Sequence, residues 1–165
     1  MKKLLLVGLL IGLSCRLFCQ EVETYENKDK KYSIDFPKGW ITAYDKNSLI
    51  SILAVNDGDD ISRKLMVVTS KAAAMSTKDL YRSNLRSIRS GKNNTVEEEG
   101  TTTINGMEAM WTLYSVDQDG TKTKVKVYVM KNKNTQYLVQ SVIPADDFDA
   151  SVAFFDNIIA TFKTF

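Results

Sequence analysis

The sequence predicts an α+β domain: a central antiparallel sheet of about seven strands flanked by helices. Three observations predict it. Tight-turn signals at Asn105-Gly106, Asp119-Gly120 and Lys131-Asn132-Lys133-Asn134 join four long runs of β-branched and aromatic residues, which makes an antiparallel meander. An amphipathic helical segment with start and stop signals precedes the meander. An apolar stripe at helical spacing, Phe148, Val152, Phe155, Ile159 and Phe162, follows it and is wide enough to cover a sheet.

The chain opens with Lys2 and Lys3 ahead of an apolar run, Leu4 to Leu13, too short for a membrane span. Residues 1–19 therefore read as an export signal. Its end has two readings. A lipoprotein signal would end before Cys15 and place a lipid on that cysteine, although Gly12 stands where a lipobox has a large aliphatic residue. Cleavage after Cys19 would leave Gln20 first, and this exported, lipid-free product is the preferred reading. Either places the domain in the periplasm or outside the cell, meeting a membrane only through a lipid on Cys15.

Loss of residues 1–19 removes three basic side chains and moves the formal net charge from +2 to −1, so no general nucleic-acid footprint remains. It also removes both cysteines, which excludes a disulfide within the domain. The chain has no histidine. That excludes His-based triads, His metal ligands and imidazole acid–base chemistry.

Residues 20–31 are polar and charged and read as a spacer; residues 32–165 read as one domain. Tyr32, Ile34 and Phe36 alternate with polar residues as in a strand. Pro37-Lys38-Gly39 ends it and turns into a second strand from Trp40 to Tyr44. Ser48–Val55 and Lys64–Thr69 are two more strands, separated by the turn-forming Asn56-Asp57-Gly58-Asp59-Asp60. Ser76 with Asp79 three residues on signals a helix start, and Ser90-Gly91 its stop. Leu80, Leu85 and Ile88, beside Tyr81 and Asn84, form its apolar stripe, while Lys78, Arg82, Arg86 and Arg89 mark a solvated face. The meander strands are Thr95–Ile104, Met107–Val116, Thr121–Lys131 and Gln136–Ile143. Pro144 ends the last, and Asp146 or Asp147 can cap the closing helix.

The order of these pieces resembles the PsbP-like family, which includes DcrB-related bacterial lipoproteins. The pieces are Tyr32-Ser-Ile-Asp-Phe-Pro-Lys-Gly-Trp40, the mid-chain helix, Glu99-Gly100-Thr-Thr-Thr-Ile-Asn-Gly-Met-Glu-Ala109, the Lys126-Val-Tyr-Val-Met130 strand, Gln136–Val139 and the Phe154–Phe162 segment. The resemblance implies an α/β/α sandwich. It also implies an accessory or assembly factor for a membrane complex, a chaperone-like binding module or, as in a nuclear-import relative, a partner of a small GTPase. Some metal binding in plant members uses histidine, and that chemistry does not carry over to this chain, which has none.

Candidate sites are few. The 56–60 turn has oxygen ligands suited to calcium but lacks the ligand spacing of an EF-hand, so an acidic solvated turn is the default. Of Glu97-Glu98-Glu99, strict alternation lets only Glu97 and Glu99 converge, and no second catalytic group is visible beside them. Lys122, Lys124 and Lys126 share a strand face that could meet an acidic partner or headgroups, or simply be wet. Trp40, Trp111, Tyr114 and Tyr128 could contact a ligand or partner, with core packing as the competing role. The expectation is a non-catalytic, cofactor-free module that contacts a protein partner in the cell envelope. The alternative is a binder of a small apolar ligand in a cleft between sheet and helix.

Overall fold

The computed structural model describes residues 21–45, 47–56, 62–72 and 74–165. The expected export signal, Cys15 and residues 57–60 of the acidic turn lie outside them. The described chain runs β1 (Val22–Asn27), β2 (Tyr32–Pro37), β3 (Trp40–Ala43), β4 (Ile50–Asn56), β5 (Lys64–Lys71) and α1 (Thr77–Ser90). It continues with β6 (Asn94–Ile104), β7 (Met107–Gln118), β8 (Thr121–Asn132), β9 (Thr135–Pro144), α2 (Phe148–Ala160) and β10 (Lys163–Thr164). Among these residues a seven-stranded sheet has the order β3-β4-β5-β9-β8-β7-β6, and a three-stranded ribbon has the order β1-β2-β10. All pairings are antiparallel. The expected sheet and its meander are therefore present. Asn105 and Gly106 (φ 45° and 80°), like Asp119 and Gly120 (φ 52° and 81°), take the paired left-handed conformation that a two-residue hairpin turn needs.

Side-chain alternation divides the large sheet into two apolar faces. On one, α1 lays Leu80, Tyr81 and Leu85 over β6, β7 and β8, against Val129, Met110 and Val96. On the other, α2 and the ribbon close the main core, in which Tyr32, Ile34, Leu65, Val139, Phe155, Ile159 and Phe162 are buried. Tyr32 stacks on Phe162 at 5.2 Å and meets Tyr137 edge-on at 6.0 Å. The opening strand motif thus anchors the ribbon to the sheet, by packing and not by chemistry.

The helix termini follow sequence logic at one end and depart from it at the other. Ser76 Oγ accepts from Asp79 N (3.1 Å) and Asp79 Oδ2 accepts from Ser76 N (3.4 Å), a complete capping box. Asp147 precedes α2 but makes no side-chain cap. A 3-10 turn over Ala145–Asp147 runs into the helix and already places Asp147 in helical backbone, so Phe148 N bonds Ala145 O instead. Phe162 falls beyond the end of α2, yet stays buried because β10 folds back onto β2.

Two further expectations are corrected. Residues 22–27, read as part of a spacer, form β1, which pairs along its whole length with β2. Only Tyr25 and Asn27 are shielded there, so the strand is polar because it is an exposed edge, and polarity alone hid it. Glu97 and Glu99 do not converge. The register of β6 on β7 shifts between Val96 and Glu98, and this bulge breaks the two-residue alternation. Glu99 faces α1, accepting from Tyr81 Oη and Arg89 Nη2, each at 2.6 Å. Glu97 pairs with Lys124 at 2.9 Å on the α2 side.

Candidate functional site

The Pro37-Lys38-Gly39 turn is made possible by the left-handed backbone of Gly39 (φ 88°), and it delivers Trp40 to the first position of the edge strand β3. The indole stacks on Phe36 at 5.6 Å and meets Phe155 at 5.9 Å and Phe154 at 6.0 Å, both from α2. Phe154 lies off the apolar stripe of α2 and is 40% exposed. Between this aromatic floor and the end of β4 lies an open groove of about 330 Å³, rimmed by Asn56, Arg63, Ala150 and Ser151. Arg63 Nε is 3.9 Å from Asp147 Oδ2. The groove offers a flat aromatic surface with amide, hydroxyl and guanidinium groups at its margin. It can hold an apolar side chain or ring whose polar end stays wet.

The other three aromatics of the sequence reading do not join it. Trp111 and Tyr128 are cross-strand partners on the α2 face, five and four strand positions respectively from β3 in the sheet order. Lys126 Nζ lies 4.9 Å from the Trp111 ring centroid and 5.4 Å from that of Tyr128. It donates to Asp156 Oδ2 of α2 at 2.6 Å, while Tyr128 Oη donates to Asp156 Oδ1 at 3.0 Å. Burial works against the charge of Lys126, but its bonds to Asp156 and Tyr128 outweigh it and raise the pKa above the ordinary lysine value. Burial raises Tyr128 as well. This closed network fastens α2 to the sheet and leaves no free group for an external ligand. Tyr114 pairs with Val125 on the opposite, α1-facing side, and desolvation raises its pKa.

Two of the three lysines on the β8 face are held in the same way. Lys124 is held by Glu97 and Lys126 by Asp156, so neither is available to an acidic partner. Among the described residues no three acidic side chains converge as a metal site. Sequence reasoning found Trp40 but missed Phe154, Asn56, Arg63 and Ser151. One signal for Phe154 was present: a second phenylalanine beside Phe155 exceeds what the apolar stripe of α2 can bury. Asn56 and Arg63 come together only through the β4–β5 pairing.

No family model and no curated protein sequence matches the chain. Solved structures do match. The solution structure of cyanobacterial PsbP (CyanoP) from Synechocystis sp. PCC 6803 is similar at a TM-score of 0.64 with 14% identity, covering 94% of this chain and 99% of that one. The crystal structure of LpqN, involved in cell envelope biogenesis of Mycobacterium tuberculosis, is similar at 0.67 with 10% identity, covering 85% and 87%. A crystal structure from Bacteroides thetaiotaomicron is similar at 0.61 with 16% identity, covering 87% of this chain and 48% of its own. At such identities the likeness is one of fold: the chain has the PsbP-like architecture that its sequence resembles.

Proposed function

We propose that this PsbP-like domain is a non-catalytic module of the cell envelope that holds a protein partner along β3. The observation that carries the reading is the contrast between the two edges of the large sheet. β6, the edge on one side, bears Glu97, Glu98 and Glu99, a bulge and Gly100, the devices that discourage strand addition. β3, the edge on the other, is Trp-Ile-Thr-Ala with no charge at all, and Ile41 is 56% exposed. Among the described residues nothing pairs with its outer side. An extended segment added there would gain main-chain hydrogen bonds and could lay one side chain in the Trp40–Phe154 groove.

The envelope setting rests on the export signal read from the sequence and on the shared fold with a protein involved in cell envelope biogenesis. A photo-crosslinking amino acid placed at Thr42, in the chain expressed in its own cells, should trap a discrete partner. The same residue at Thr102 of β6 should not, and Ile41→Lys should abolish the Thr42 product. Equal products from both edges, or none from β3, would overturn the proposal.

The groove also supports the second reading, a small apolar ligand held between sheet and α2. In that case a fluorescent apolar probe should bind with or without partner, and Trp40→Ala should release it while leaving crosslinking at Thr42 intact.

A further inference from the structure

We infer that the end of the domain remote from the start of β1 docks on an anionic lipid bilayer. The antiparallel register gathers the β1–β2 turn, the end of β5, the β8–β9 turn and β10 with Phe165 there. Thr135 pairs with both Lys71 and Asn132. Tyr137 Oη donates to Lys30 O at 2.8 Å, and Phe165 N donates to Lys31 O at 3.3 Å. These segments bring Lys30, Lys31, Lys71, Lys131, Lys133 and Lys163 to one end of a domain whose net charge is about neutral. Among the described residues none of the six takes part in a salt bridge, whereas Lys38, Lys124 and Lys126 elsewhere do. Asp29 and Asp45 also sit there, bonded by Tyr44 Oη (3.2 Å) and Asn47 N (2.8 Å) and still charged, and the six lysines outnumber these two carboxylates.

Apolar side chains project between the lysines. Leu49 is 67% exposed, Phe165 50% and Met75 40%. Leu49 shares an open groove of about 260 Å³ with Lys30, Lys31 and Lys71. Lys131 Nζ donates to Met75 O at 2.7 Å and fixes the Met75 loop beside the β8–β9 turn. These apolar groups stand singly, on turns and beside β10. They do not form the flat apolar centre of a protein interface. Separate apolar tips within a ring of lysines fit the headgroup boundary of a membrane, where the ammonium groups meet phosphate and the tips reach the first acyl carbons. Beside headgroup contact by Lys122, Lys124 and Lys126, two of which are held in ion pairs, the sequence suggested membrane contact through a lipid on Cys15. This surface is independent of it, because Glu21 enters the domain at the far end, where Lys38 N donates to Glu21 O at 2.8 Å.

The test uses residues 20–165, which hold both core clusters and every strand pairing described above. Co-sedimentation with vesicles containing phosphatidylglycerol should exceed that with pure phosphatidylcholine vesicles and should fall with salt. Each lysine contributes about fivefold in affinity, so Lys71→Glu with Lys133→Glu should weaken binding by more than about tenfold. Lys38→Glu with Lys92→Glu, at the opposite end, should leave it unchanged. With both natural cysteines absent, Leu49→Cys carries the single thiol. An environment-sensitive dye there should shift to the blue on phosphatidylglycerol vesicles, and the same dye at Ile41→Cys should not. If phosphatidylglycerol gives no advantage, or the dye at position 49 stays in water, the membrane assignment is wrong and an acidic protein becomes the better occupant.

Discussion

A Cβ placed on Gly100 would lie 2.5 Å from Cζ2 of Trp111, its partner across the β6–β7 ladder. The glycine is required by the indole and not by its own backbone, which avoids the left-handed region. An aromatic ring laid over an edge-strand glycine shields backbone that would otherwise be bare. Gly100→Ala should therefore destabilise the domain by about 1–3 kcal/mol through overpacking. In a Trp111→Ala background the same change should cost less than about 0.5 kcal/mol. Urea unfolding of the four proteins in this cycle measures the coupling. Equal costs in both backgrounds would show that the ring is not the constraint.

Asp156 and Lys126 should respond unequally to removal. The Lys126 side chain is 14% exposed and that of Asp156 31%. Asp156→Ala strands an ammonium group under α2 with Tyr128 Oη unpaired, and should cost about 2–3 kcal/mol. Lys126→Met keeps the alkyl packing against Trp111 and leaves a carboxylate that water and Tyr128 can still solvate, so its loss should be near 1 kcal/mol. Denaturant midpoints separate the two, and a larger loss for Lys126→Met would contradict this asymmetry.

The parts of the fold that the sequence disclosed are those where local signals and tertiary packing agree. The hairpins at Asn105-Gly106 and Asp119-Gly120 require left-handed backbone that these residues supply, and Ser76 with Asp79 closes its box within four residues. What stayed hidden depends on partners distant in the chain. β1 is polar and becomes a strand only because β2 lies beside it. The bulge at Glu97 leaves no mark in the composition of Glu97-Glu98-Glu99, yet it sends Glu99 to α1 and Glu97 to Lys124 on the opposite face of the sheet. The candidate site was half visible for the same reason. Trp40 stands out after its turn, whereas Asn56 and Arg63 reach the groove only through sheet pairing. Trp111 and Tyr128, equally conspicuous in sequence, are spent on the Lys126–Asp156 network.

Stability should fall in alkali. Tyr32, Tyr81, Tyr128 and Tyr137 are all raised above the ordinary value of 10.0, chiefly by burial, which disfavours the phenolate. Above that value the unfolded chain releases protons that the folded one retains, so the contribution is whole below pH 10 and lost as pH rises through the folded values. Lys126, raised by Asp156 and Tyr128 against its burial, adds a loss of the same sign. Urea midpoints should be level from pH 8 to 9 and drop by pH 11. Tyr32→Phe should blunt the drop, since Ser51 Oγ, bonded to Tyr32 Oη at 3.0 Å, can still donate to Val67 O at 3.0 Å. An unchanged midpoint at pH 11 would count against buried phenols as the cause.

The two sheet edges should differ when their charges are exchanged. Ile41 is exposed on β3 and Glu98 on β6, and neither side chain belongs to a core cluster. Single substitutions there should shift stability by no more than about 0.5 kcal/mol. Association is where they part. Glu98→Val with Glu99→Val strips the β6 edge of its repulsion and should drive self-association, although loss of the Tyr81 and Arg89 bonds to Glu99 also loosens α1. Glu98→Val alone avoids that complication and should still raise the apparent mass in light scattering at high concentration. Ile41→Lys should do the reverse at β3, lowering any self-association of the parent domain as it blocks strand addition. If Ile41→Lys leaves both self-association and partner capture untouched while Glu98→Val changes them, the edge that recruits partners is β6 and the assignment of β3 fails.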